Sequence, residues 1–140
     1  DWYRNRKSLE DLGYSVQVFG ITRERGEIYE RINQRVEEMF RRGFIREVKR
    51  LKRIGFSKTA RQALGYQEIL QYLRATNKTS LRGNDDLRNL MQSIQKRTRQ
   101  FAKRQLTWFR REKEVQWIPW EKGESASRVC DKIMRELVNG

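Results

Sequence analysis

Leu87, Met91, Ile94, Phe101 and Phe109 recur at helical spacing along one arc, and this pattern predicts a long amphipathic helix running from about Asn84 to Arg111. Asn84 is suited to cap it, and Asp85 and Asp86 in its first turn suit the positive end of the helix dipole. Three shorter helices precede it. Ile28, Ile32, Val36, Met39 and Phe40 mark the first, with Gly43 placed to end it. Ile45, Val48, Leu51 and Ile54 mark the second, which Gly55 can stop in a left-handed conformation. After a turn at Phe56–Thr59, Ile69, Leu70 and Leu73 give the third an apolar side between about Tyr66 and Ala75. Residues 76–83 are polar and read as a loop. Ser125 or Ser127 can start a terminal helix over 127–138 bearing Val129, Ile133 and Leu137.

Strand periodicity is confined to two places. Residues 14–20, through Tyr14, Val16 and Val18, alternate with a period of two, and residues 115–118 form a short candidate before Pro119. The fold class is therefore mainly α with one or two short strands, the helical region covering 24–111. No internal repeat or linker-like tract divides the chain.

Charge changes this picture most. The 140 residues carry 32 Lys and Arg against 18 Asp and Glu, a net charge of +14, with 36% hydrophobic and 36% charged residues. Such an excess favours a polyanionic partner, and the modest apolar content suggests a core completed by something outside the chain. No apolar run approaches bilayer length and no secretory signal is present, so the expectation is a cytoplasmic chain with no membrane partner. With no histidine and a single cysteine, Cys/His zinc sites and internal disulfides are excluded. Cys130, on the apolar side of the terminal helix, reads as a packed structural thiol.

On the long helix, Lys96, Arg99, Lys103, Thr107 and Arg110 fall on one stripe, with Arg97, Arg104 and Arg111 beside it. Cations for phosphates, with Gln105 and Trp108 for bases, make this face a candidate RNA surface. The alternative is a solvated basic face on an ordinary core helix.

The residues themselves favour the first reading. The run Lys103, Arg104, Gln105, Leu106, Thr107, Trp108, Phe109, Arg110 closely resembles the C-terminal signature of the tRNA dimethylallyltransferases (tRNA isopentenyltransferases), which prenylate the adenosine 3′ of the anticodon. Gly65, Tyr66, Gln67 and Glu68 resemble a second element of that family. The helix from Arg25 through Tyr29, Arg31, Arg35 and Val36 to Met39 resembles a third, and Gly43 to Leu51 a fourth. All occur in family order between Tyr14 and Trp117. The family's phosphate-binding loop (G-x-x-x-x-G-K-[ST]) and the aspartate after it have no counterpart here. The sequence is therefore read as the C-terminal portion of a longer enzyme, 1–140 lacking the phosphate-loop half, inactive alone.

The resemblance implies that the strands complete the parallel sheet of a P-loop-type α/β domain in the full enzyme. It implies tRNA binding by Gln62, Ala63, Leu64, Gly65, Tyr66 and Gln67 as well as by Lys103 to Arg110, with Arg61 adding polar reach. Arg25 or Arg35 would face the diphosphate of the prenyl donor, although arginines spaced along a helix also pair with neighbours such as Glu27, Glu30 and Glu38. Gly65 and Tyr66 also fit a helix-start glycine and a core tyrosine. No catalytic or metal-binding residue is assigned in this stretch. Nucleotide (ATP-type) binding belongs to the absent half, which also binds Mg2+ in the main, and the implied partners are the tRNA anticodon stem-loop and dimethylallyl diphosphate, with the enzyme a monomer. Two other classes stay open: a non-enzymatic basic RNA-binding module, and a structural protein whose basic stripe meets an acidic partner.

Overall fold

The computed structural model describes residues 9–57, 59, 63–75 and 84–139. After a 3-10 turn at Glu10–Leu12 come β1 (Val18–Thr22), α1 (Arg25–Arg41), α2 (Phe44–Ile54), α3 (Tyr66–Ala75), α4 (Asn84–Phe109), β2 (Val115–Pro119) and α5 (Ala126–Asn139). The chain is mainly α with two short parallel strands, as its patterning predicts. It divides into two units, one spanning Arg25–Leu106 and the other combining the segment before Arg25 with Thr107 onward.

The helical unit is built on Val36 of α1, Phe44 and Val48 of α2, Ile69 and Leu70 of α3, and Leu90 and Ile94 of α4, all buried together. Each such side chain contributes roughly 1.5–3 kcal/mol when fully buried. An aromatic chain runs across the cluster: Phe44 meets Phe40 edge-on at 6.2 Å and Tyr66 at 5.1 Å, and Phe56 meets Tyr66 at 5.8 Å. The sharp α1–α2 connection depends on Gly43, whose φ of 91° is left-handed. Its N–H donates to the Phe40 carbonyl at 3.0 Å, and its own carbonyl accepts from Glu47 N–H at 3.1 Å. The hydrophobic set expected for α2 is corrected here. Phe44 and Val48 are its buried residues, whereas Ile54 is 75% exposed.

α4 is fixed on α1 by polar groups as well as by packing. The buried Gln95 donates through Nε2 to the Asn33 carbonyl (3.2 Å) and to Glu37 Oε1 (3.3 Å). One turn on, Arg99 Nη1 donates to Asn33 Oδ1 at 2.5 Å. These bonds reach no further than Arg99. The predicted apolar arc is accordingly buried only at Ile94 and, beside it, Leu90; Phe101 and Phe109 are 40% and 44% exposed, against the expectation that they anchor the helix.

In the other unit β1 and β2 pair in parallel, Val18 opposite Val115 through Thr22 opposite Pro119. Gly20 permits that approach, since a Cβ there would lie 2.6 Å from Val115 Cγ1 and 2.8 Å from the Trp117 ring. The strand expected over 14–20 thus begins and ends later. Tyr14 and Val16 are exposed and outside the ladder, because register is set by the close fit at Gly20 rather than by alternation alone. Val18 and Ile21 are themselves 40% and 49% exposed, unusual for parallel strands.

α5 packs on β2 through Val129, which is buried along with Ile118 of β2. Ser125 Oγ accepts the Arg128 N–H at 3.3 Å and caps α5. Cys130 is exposed, which overturns its reading as a packed thiol. Val129 takes the inward position, and the next residue lies about 100° further round the helix. The tail of α5 carries exposed Met134, Leu137 and Val138.

Candidate nucleic-acid interface

The C-terminal third of α4 combines charge and aromatic surface. Lys103, Arg104 and Gln105 are exposed and Leu106 is half-buried. The Arg104 guanidinium lies over the Phe101 ring at 5.8 Å, which holds its stem against the helix while its charge faces outward. In the following turn Thr107 is exposed, and Trp108 (58% exposed) meets Phe109 edge-on at 4.8 Å. The helix closes with Arg111 N–H donating to the Trp108 carbonyl and Glu112 N–H to that of Phe109, both at 3.1 Å. Arg110 and Arg111 are exposed just beyond. A solvent-facing indole flanked by cations and an amide has the chemistry that stacks an unpaired base and holds its neighbouring phosphates.

The predicted stripe is not uniform. Arg99 is tied to Asn33, and Arg97 Nη1 lies 2.7 Å from Glu68 Oε1, so two of its arginines serve as clamps within the helical unit. Periodicity places residues on a face without showing which of them find carboxylates or amides in three dimensions.

The glycine–tyrosine element is woven into the same unit. Gly65 has φ 88°, and a Cβ there would come within 2.8 Å of the Phe44 ring. Its N–H donates to Glu68 Oε2 at 2.9 Å, a carboxylate reaching back from the first turn to cap α3. Tyr66 is half-buried between Phe44 and Phe56, and its hydroxyl donates to Glu47 Oε1. That bond, followed by partial burial, raises the Tyr66 hydroxyl above its ordinary pKa of 10.0. Ala63 is exposed, and Leu64 and Gln67 are half-buried. Arg61 and Gln62 lie outside the described residues.

On α1 the three candidate arginines separate. Arg25 Nε donates to the Tyr29 hydroxyl at 2.8 Å and its guanidinium sits 5.3 Å over that ring. Arg31 is paired with Glu27 at 2.9 Å. Arg35 is exposed and forms no ion pair among the described residues. A cleft of about 650 Å³, which no predicted site residue lines, opens between α1, α2 and the start of α4; its floor includes Phe40, Ile45 and Met91. Among the described residues no group of three or more Asp, Glu, His or Cys is placed to hold a metal ion. No described helix is long and apolar enough to cross a membrane.

Against known proteins, the sequence pattern of the IPP transferase family matches residues 1–112, and the chain belongs to that family. Among its relatives are the tRNA dimethylallyltransferases of Carboxydothermus hydrogenoformans, 43% identical over 136 residues, and Desulforamulus reducens, 37% identical over 136. These alignments cover 96% of this chain but 40% and 45% of the relatives. The full-length tRNA isopentenylpyrophosphate transferase of Bacillus halodurans superposes with a TM-score of 0.74 at 32% identity, over 90% of this chain and 39% of that one. The corresponding Staphylococcus epidermidis protein gives 0.70 at 30%. The chain thus spans less than half the length of the relatives it matches.

Proposed function

We propose that this chain is the tRNA-gripping C-terminal part of a tRNA dimethylallyltransferase. The observation that carries the reading is the run Lys103 to Arg110, which presents cations, an amide and an exposed indole together at the end of α4. The names of the relatives supply the substrate class. The reaction joins the exocyclic amine of the adenosine 3′ of the anticodon to the dimethylallyl carbon. The carbon–oxygen bond to diphosphate breaks with its electron pair, and the amine gives up a proton.

For that amine to meet the donor, the base must leave the anticodon-loop stack. Holding it out requires an aromatic face and fixed backbone contacts. Trp108 and Phe109 provide the face, Lys103, Arg104 and Arg110 the phosphate contacts, and Gln105 and Thr107 hydrogen-bonding groups. Exposed Ala63, with half-buried Leu64, Tyr66 and Gln67 around the Gly65 turn, shapes a second surface. Arg35, exposed on α1, faces the donor diphosphate in this reading, with Arg25 as the alternative. Nucleotide binding, the magnesium ion and the catalytic carboxylate are assigned to a part of the enzyme outside these 140 residues, and the site is cytoplasmic.

The test is single-turnover prenyl transfer to an anticodon stem-loop. The isolated chain, given dimethylallyl diphosphate and Mg2+, is expected to be inactive. In the complete enzyme, Gln105→Ala is expected to lower the rate more than it lowers tRNA affinity, since a small misplacement of reacting atoms costs about a hundredfold in rate. Turnover by the isolated chain, or equal losses of rate and affinity, would contradict the assignment.

A further inference from the structure

α2 carries a second charged surface. Arg46, Arg50 and Arg53 stand at i, i+4 and i+7, which places them on one stripe roughly 10 Å long. All three are exposed, and none forms an ion pair or hydrogen bond among the described residues. Among the described residues several cations of α1 and α5 are paired, although Arg35 of α1 is not. On α1, Glu27 pairs with Arg31, and Glu38 with both Arg41 and Arg42; on α5, Lys132 and Arg128 surround Glu124. The one carboxylate of α2, Glu47, is turned away and accepts the Tyr66 hydroxyl. Arg46 with Arg50, and Arg50 with Arg53, are therefore like-charged neighbours left to repel each other, an arrangement that weakens an isolated helix.

Arg50 and Arg53, together with Ile54, line a concavity of about 370 Å³. Guanidinium groups present a planar fork that matches phosphate oxygens, and a row of them suits a partner whose anionic groups repeat along a line. A protein partner would seek an apolar or aromatic centre; beside Arg50 and Arg53 the exposed large apolar side chain is Ile54, and the apolar cleft of Phe40, Ile45 and Met91 adjoins Arg46 alone of the three. Nucleic-acid interfaces are more polar and more cationic.

We propose that the Arg46, Arg50 and Arg53 face of α2 is a second RNA contact that tracks the sugar–phosphate backbone without reading bases, separate from the Lys103 to Arg110 segment. It rests on the reading that the chain grips RNA.

The experiment is a salt titration of binding between this chain and an anticodon stem-loop RNA, comparing wild type with R46Q/R50Q/R53Q, R46K/R50K/R53K, R31Q/R41Q/R42Q and K103A/R104A. Each phosphate contact contributes roughly 0.7–0.9 to the slope of log affinity against log salt, so the α2 glutamine variant, losing three, should be shallower by roughly 2.1–2.7. The lysine variant should keep the wild-type slope. The α1 variant, which loses the same charge from carboxylate-paired positions, should change it by less than half as much. An unchanged slope in the α2 glutamine variant, with K103A/R104A weakened, would overturn this proposal and leave the main interface standing. Absence of RNA binding by wild type would overturn both. Competition by polyglutamate as effective as RNA of equal charge would assign the stripe to an acidic polypeptide and overturn the RNA contact. The exposed, mutually repelling arginines predict no drop in melting temperature; should the glutamine variant melt lower, its slope is compared with that of the lysine variant at a temperature where both are folded.

Discussion

The Arg97 guanidinium on α4 lies 2.7 Å from Oε1 of the buried Glu68 carboxylate on α3, while Oε2 of the same group accepts the Gly65 N–H that opens α3. One carboxylate thus caps one helix and joins it to another. Arg97→Ala would leave the buried Glu68 carboxyl with one of its two partners, and is expected to destabilise the helical unit by roughly 1–3 kcal/mol. Glu68→Gln keeps the shape but loses the charge pairing, and should do less damage. Chemical denaturation of both variants checks the order. An Arg97→Ala protein as stable as wild type would show the pair to be incidental.

Two glycines with positive φ separate backbone strain from crowding, Gly55 stopping α2 with an extended ψ of 143° rather than in the left-handed helical conformation expected of it. At Gly55 (φ 106°) a Cβ would meet nothing within 4 Å, whereas at Gly65 (φ 88°) it would strike the Phe44 ring at 2.8 Å. Gly55→Ala, at φ 106° and ψ 143°, is expected to cost about 1–3 kcal/mol from conformation alone. Gly65→Ala adds overpacking, typically a further 1–3 kcal/mol. Equal losses at the two positions in thermal melts would mean that the Phe44 ring yields freely.

Acid and alkaline limits of stability trace to different residues. Glu124 is held below the ordinary carboxylate value of 4.5 first by its hydrogen bond from Lys132, then by the Glu121 N–H and the charges of Lys132 and Arg128, against opposing desolvation. A folded-state value below the unfolded one gives stabilisation that is complete above the unfolded value and disappears as pH falls through the folded one. Glu124→Gln should therefore flatten the acid side of a stability–pH curve below about pH 4.5. Tyr66 has the opposite sense, with a raised hydroxyl whose stabilising bond is present below pH 10.0 and is lost as pH rises through the folded value. Tyr66→Phe should flatten the alkaline side. Unaltered curves in these variants would count against each bond.

Much of this was legible in the sequence because periodicity reports burial along one element. Ile69 and Leu70 on α3, Val36 on α1 and Val129 on α5 are buried where their spacing puts them. The errors came where a second element decides. The residues 14–20 alternate convincingly, yet the ladder starts at Val18 because Gly20 must face Val115 and Trp117. Arg97 and Arg99 share a basic stripe with Lys103, yet carboxylate and amide partners from α3 and α1 claim them. Phe101 and Phe109 continue an apolar arc beyond the α4 residues bonded to α1, and Cys130 sits one residue off the inward line of α5. The α2 arginines carried a signal of their own, three cations at i, i+4 and i+7 with a single carboxylate between them.

The central claim, that the end of α4 faces RNA, is tested most directly by the salt dependence of binding between this chain and an anticodon stem-loop, with Lys103 and Arg104 both replaced by alanine and Trp108→Ala alongside. Loss of two phosphate contacts should weaken binding and make the slope of log affinity against log salt shallower by roughly 1.4–1.8. Loss of the indole should weaken binding by roughly 1–3 kcal/mol with little change in slope, as removal of a stacking surface does. Wild-type affinity and slope in both variants, with wild-type melting curves, would contradict the account.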